Sequence, residues 1–185
     1  KLTSTNNVKQ STTFDFSTLY TSLPQNLLID NSSKLLEKPC SKNKYLITNC
    51  FNTYWSNNKS CSKNYFCFDK DTLFKSIQFL INDSYITFGN KIFHQVIGIP
   101  MGSNFSPLLA DLFLFNCEHD FISSLNINDT FMFRNITRYI DDLAVINFPN
   151  FNNYISKIYP QCLEVTTTSN LDNVHYLDLN VTINK

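Results

Sequence analysis

Glycine and proline are scarce in this chain, with three Gly and six Pro among 185 residues. Charge is sparse as well: 16% of residues are charged against 43% hydrophobic. Disorder needs the opposite balance, so the chain falls among globular proteins. An excess of positive charge is also missing, because fifteen basic side chains balance fifteen acidic ones. Phosphate neutralisation and counterion release supply much of a nucleic-acid binder's affinity, so a neutral segment is not built to grip nucleic acid unaided. The neutral balance leaves room for a floor of carboxylates whose neighbouring parts supply the grip. The six cysteines, Cys40, Cys50, Cys61, Cys67, Cys117 and Cys162, include no C-x2-C pair, and no His flanks them at finger-like spacing. A structural zinc site is therefore poorly supported. No secretory signal precedes the N-x-[ST] triplets such as Asn58-Lys59-Ser60, which an Asn-rich chain produces by chance, and reduced intracellular thiols are expected. No apolar run reaches membrane-spanning length, so no membrane partner is expected.

What is abundant is aromatic, with seventeen Phe and nine Tyr. The length can bury a substantial core and fits one domain over residues 1–185. The chain starts at Lys1 without Met and stops inside a strand-like run at Lys185, so it reads as a fragment. Thr12 to Ser17 is a short strand ending at Asp15, and Ser22-Leu23-Pro24 opens a helix to about Glu37. Residues 39–66 lack periodicity and read as a variable loop or insertion. Asp69 caps a second helix, whose stripe of Leu73, Phe74, Ile77, Leu80 and Ile81 faces the core. A hairpin turns at Gly89-Asn90. Ser106-Pro107 starts a third helix, reaching about Leu125 and apolar on most faces through its first half. Thr137 to Ile146 is a second hairpin with its turn at Asp141-Asp142. Phe151 to Tyr159 is a short helix, and Leu163 to Thr166 and Val174 to Ile183 close with strands. This order predicts an α+β architecture, an antiparallel sheet with helices packed on one face.

Three carboxylates carry the chemical argument: Asp15 at a strand end, and Asp141 and Asp142 between the apolar half-strands Tyr139-Ile140 and Leu143-Ala144-Val145-Ile146. Acids beside apolar strands must neutralise, pair or bind a cation, since crowded carboxylates repel. Arg138 is the one basic residue near the pair in sequence. Two hard cations about 3.5–4 Å apart suit in-line phosphoryl transfer, and Mg2+ prefers oxygen ligands. Against this, Asp-Asp in a hairpin turn is common surface chemistry.

The wording around these acids resembles the reverse transcriptases. Phe14-Asp15-Phe16-Ser17-Thr18-Leu19-Tyr20-Thr21-Ser22-Leu23-Pro24 is similar to the family's first catalytic motif, most closely as it is written in Penelope-like retroelements. Gln95 to Pro107, QVIGIPMGSNFSP, is similar to its second motif, and Arg138 to Asp142, RYIDD, to its tyrosine-x-aspartate-aspartate signature. Leu163 to Val181, with Tyr176-Leu177-Asp178-Leu179, resembles the segment that closes the palm. The resemblance implies a polymerase palm with Asp15, Asp141 and Asp142 as catalytic and metal-binding residues for Mg2+, or Mn2+ in its place. It implies contacts to nucleotide or primer from Phe16, Tyr20, Gly102, Ser103 and Tyr139. Tyr20 matches the position that excludes a ribose 2′-hydroxyl, the group that separates RNA from DNA precursors. Met101 departs from the Gln of retroviral relatives while matching Penelope-like sequences.

The implied partners are an RNA template, a DNA primer and dNTPs, and the implied location is the nucleus. Fingers, thumb and a GIY-YIG endonuclease domain would belong to further parts of the polypeptide. Two other readings stay open. One is an inert palm remnant or domesticated RNA-binding scaffold. The other is an RNA-dependent RNA polymerase, against which Tyr20 and the YIDD wording argue.

Overall fold

The computed structural model describes residues 8–40, 44–59, 63–170 and 173–182. In chain order the first elements are β1 (Ser11–Phe16), α1 (Leu19–Ser22), α2 (Gln25–Cys40), β2 (Tyr45–Thr48), β3 (Thr53–Ser56), β4 (Phe66–Phe68) and α3 (Lys70–Asn82). There follow β5 (Tyr85–Phe88), β6 (Lys91–His94), α4 (Ser106–Ser124), α5 (Ile127–Thr130) and a 3-10 turn (Phe131–Asn135). The chain continues through β7 (Ile136–Tyr139), β8 (Asp142–Ile146), α6 (Asn152–Ile158), β9 (Val165–Asn170), β10 (Asn173–Tyr176) and β11 (Leu179–Thr182). Among the described residues no helix is long and apolar enough to cross a membrane.

The chain divides into two compact units, residues 1–23 with 103–185 and residues 24–102. The first unit is built on a four-stranded antiparallel sheet in the order β7-β8-β1-β9. Strand alternation sends Phe14 and Phe16 to one face of β1, and Thr13 and Asp15 to the other. Phe14 and Phe16 are each 2% exposed. The Phe14 ring stands 5.5 Å from Phe151 and the Phe16 ring 4.7 Å from Tyr159. Phe133 joins this cluster edge-on to Phe148 at 5.3 Å and to Tyr154 at 5.4 Å. Such pairs add about 0.5–1.5 kcal/mol each beyond the area they bury. Helix α4 is apolar nearly all round, buries Leu109, Ala110, Phe113 and Leu114, and packs on α1 and α6.

The second unit joins α2 to α3, a three-stranded sheet β3-β2-β4 and the hairpin β5-β6. Leu28, Ile47, Ile81 and Ile99 are fully buried in it. Asp69 caps α3 as expected, its carboxylate accepting from the Thr72 amide at 2.8 Å.

Several expectations need correction. The stretch 39–66, expected as a variable loop or insertion, contributes β2, β3 and the start of β4, while 41–43 and 60–62 lie outside the described residues. Its pairing is invisible to periodicity because β3 is almost wholly exposed. The helix expected to open at Ser22-Leu23-Pro24 is α2 from Gln25; the short α1, not anticipated, ends at Ser22, and Leu23 between them is extended, as a residue before proline prefers. Ser106 is already helical, and Phe105 stands at the cap without a side-chain hydrogen bond. Tyr159 ends its helix in an extended conformation. Val174 to Thr182 folds as the hairpin β10-β11, with Leu177 at φ 54° in the bend, and Ile183 lies outside the described residues.

Candidate active site

The β7-β8 hairpin turns one residue earlier than expected. Ile140 and Asp141 form the turn, Tyr139 pairs with Asp142, and Asp142 is the first residue of β8. Ile140 sits at φ 52°. A left-handed first position is what a tight hairpin needs, and glycine usually supplies it. A β-branched residue there is strained by about 1–3 kcal/mol, which the surroundings must hold in place.

The holding group is Arg138. Its Nη1 donates to the Ile140 carbonyl at 3.1 Å and to Asp111 Oδ1 at 2.6 Å. Nε and Nη2 donate to Glu118 at 2.6 and 3.2 Å, and Nη2 also reaches the Asp111 carbonyl at 3.4 Å. All five guanidinium donors are thus committed. Burial works against the charge, but Glu118 and Asp111 more than offset it and hold the pKa above its usual value. Sequence left open whether Arg138 meets a phosphate or a carboxylate; it binds two carboxylates of α4 and clamps the turn.

That turn brings the acids together. Asp15 lies directly across from Asp142 in the β1-β8 pairing, and the Phe16 amide donates to the Asp141 carbonyl at 3.1 Å. Burial and then the charge of Asp141 push the Asp15 pKa up. Burial, Asp141 and Asp15, in that order, do the same to Asp142. The ion pairs among the described residues are His119–Asp120, Arg138–Asp111 and Arg138–Glu118, and none reaches the three acids. Among the described residues no ion pair offsets the three crowded carboxylates.

The other anticipated residues divide. Tyr20, on α1, is half-buried, and its hydroxyl pKa is raised by burial and by Asp141, so it lies within electrostatic reach of the cluster. Tyr139 is 58% exposed and shares the face of Asp142, its cross-strand partner. Phe16 goes elsewhere: its ring packs on Tyr159 on the opposite face of the sheet, and its amide is spent on Asp141. Ser103 Oγ accepts from the Phe105 amide at 3.4 Å, ahead of α4. Gly102 belongs to the second unit. Apart from its chain neighbours, no atom of the described residues lies within 4 Å of where its Cβ would stand, so its φ of +91° is what calls for glycine.

Two neighbours were not picked out from sequence as members of this cluster. Tyr176, at the end of β10, has a buried hydroxyl with no hydrogen-bond partner among the described residues. Its pKa is raised by burial, then by Asp142, while Arg138 opposes. A bulge between Thr13 and Phe14 in the β1-β9 pairing gathers Thr13, Thr168 and Ser169, whose hydroxyls bond at 2.9 and 2.6 Å. In the sequence Tyr176 stands out only as part of the closing motif, and bulges leave no periodic signal.

The donor set suits a hard divalent cation: three carboxylates with no Lys or Arg ion-paired to them among the described residues. Among the described residues no three His, Cys, Asp or Glu side chains form a ready metal cage. Mg2+ asks for no such cage, since it takes one or two carboxylates and fills its other positions with phosphate and water.

No protein-family model matches the sequence, and no curated protein matches it. Solved structures do. The apo telomerase of Candida tropicalis superposes with a TM-score of 0.70 at 14% identity, over 95% of this chain and 31% of that one. The telomerase of Candida albicans, in complex with a TWJ fragment of telomeric RNA, superposes with a TM-score of 0.63 at 14% identity, over 97% of this chain and 31% of its own. The chain therefore has the mixed α/β fold, with antiparallel sheets, of a part of these telomerases, and spans about a third of their length.

Proposed function

We propose that this chain is the palm of a reverse transcriptase, an RNA-directed DNA polymerase that extends a primer 3′-hydroxyl with dNTPs. The observation that carries the reading is the pairing of Asp15 with Asp142 on adjacent strands, with Asp141 in the turn beside them. In this reading the three carboxylates hold Mg2+ or Mn2+, which when bound activates the attacking oxygen and steadies the leaving pyrophosphate. Asp15 and Asp141 are the principal ligands, and Asp142 the supporting one. Tyr20 stands where a ribose 2′-hydroxyl would enter, and Tyr139 lies against the primer end. Gly102 and Ser103 approach template and nucleotide. Phe16 acts by packing Tyr159 and fixing β1 against the turn. The wording of the motifs favours a Penelope-like element, and a chromosomal target would place the protein in the nucleus. Its remaining parts, fingers, thumb and an endonuclease, would supply the basic grip that a net charge of zero does not.

The decisive experiment is primer extension by the full-length protein on RNA and DNA templates. Asp15→Asn and Asp141→Asn should each lower extension by a factor on the order of 10³ or more, as loss of a central electrostatic stabiliser does, while the protein stays folded. Extension at the unaltered rate by either variant removes that residue from the assignment.

A second reading, an inert remnant or RNA-binding scaffold, draws on the lack of a ready metal cage among the described residues. It expects no Mg2+-dependent rise in Tm, whereas a ligand bound only by the folded state must produce one.

A further inference from the structure

Behind the β7-β8 hairpin lies a cavity of about 110 Å³ that the carboxylate chemistry does not use. Ile136, Arg138 and Leu143 border it from the sheet. Arg138 pairs with Leu143 in the register, next to the Tyr139–Asp142 pair. Side chains alternate along a strand, so the cavity and Asp142 lie on opposite faces of the same two strands. Its far wall is apolar and largely aromatic, made of Phe121, Ile122, Phe133, Phe151 and Ile158. Phe121 and Phe133 stand edge to face at 5.5 Å.

One side is polar, formed by Glu118, Arg138 and Tyr159. These groups satisfy one another. The five Arg138 donors are spent as described, and the Tyr159 hydroxyl donates to Glu118 Oε1 at 2.9 Å. The three side chains have no donor left for a guest. A buried water needs two to four polar partners, and an apolar space of about 150 Å³ can stay dry and take up benzene. We infer that this cavity is a binding site for a small single-ring aromatic molecule. The Phe121–Phe133 pair already shows the edge-to-face packing such a guest would extend. Because Arg138 borders the cavity and also clamps the Ile140 carbonyl, occupancy is felt at the turn that carries Asp141.

The test is a benzene titration of the full chain, followed by Tm and by amide and ring-proton NMR, with xenon as a second apolar probe. It needs no metal, nucleotide or primer, so its outcome is separate from the polymerase reading. A saturable rise in Tm is expected, with shifts at the Phe121 and Phe133 rings and at the Ile140 and Asp141 amides. Ile158→Phe and Ile122→Phe each fill the space and should abolish the response; if one variant fails to fold, the other decides. The site is overturned if neither benzene nor xenon perturbs the cavity residues, or if the benzene response persists in a folded, filled variant. Ring shifts without any change at Ile140 and Asp141 would overturn the coupling to the turn.

Discussion

The two units of this chain treat their strands in opposite ways. In the first, the central strand β1 is buried along almost its whole length, and its neighbour β8 buries Leu143 and Val145. In the second, every residue of β5 and β6 is exposed, with Phe88 at 80% and Ile92 at 73%. An isolated two-stranded hairpin is marginal, whereas a covered four-stranded sheet fixes whatever it carries. The acids stand on the covered one. Electrostatic work by carboxylates depends on positions that do not relax, and a repulsive cluster would spread on a softer support.

The comparison can be broken by substitution, and the largest effects should fall in the first unit. Arg138→Ala removes all five contacts and strands Glu118, whose partner is nine-tenths buried. A loss of about 3–5 kcal/mol is expected in denaturant unfolding, as for other broken buried pairs. Phe14→Ala should cost a similar amount, about 3–5 kcal/mol, because the ring is 2% exposed against Phe151. In the second unit, Asp69→Ala should cost only about 1 kcal/mol through loss of the α3 cap. Phe88→Ala should stay within about 0.5 kcal/mol of the parent. Native-state hydrogen exchange gives the same contrast without mutation: β5-β6 amides should exchange faster than those of β1 and β8. Equal protection would show that the exposed hairpin is as firmly held as the covered sheet.

The acids make a sharper test because their sign is opposite to ordinary core residues. Asp15 and Asp142 have pKa values raised in the folded state. Between the unfolded value and the raised one the native state binds more protons, so stability falls as pH rises through the carboxylate range. Without metal, Asp15→Asn should flatten this fall and raise Tm at pH 7. With Mg2+, the unaltered protein should gain more than the variant does. A metal-free Tm that climbs with pH through that range in the unaltered protein would contradict the repulsion. Under the polymerase reading, Tyr20→Ala should admit ribonucleotides in extension assays, the change most specific to function.

Much of this was legible from local patterns. The β1 strand, the Asp69 cap, the buried face of α4 and the Gly89-Asn90 turn follow from periodicity, capping chemistry and the need for a positive φ, 60° at Gly89, although α4 also leaves Leu108 and Phe115 exposed. The three acids were legible as a set because no cation in their neighbourhood but Arg138 could answer them. Arg138 itself was not legible, since its partners Asp111 and Glu118 stand 27 and 20 residues away. Nor was the hairpin turn, where the sequence favours Asp141-Asp142 by turn propensity. Pairing with β1 sets Asp142 into the strand and forces Ile140 into the left-handed conformation instead.

Local residue order was enough for β1, α3, the β5-β6 hairpin and the residue types able to hold a hard cation, because those depend on neighbours a few positions apart, whereas β2 and β3 stayed hidden. Only the tertiary structure decided that Asp15 faces Asp142, that Arg138 serves the turn, and that Phe16 points away from the acids. These are consequences of register and face, and a strand's register is set by the partner it meets, not by its own order of residues.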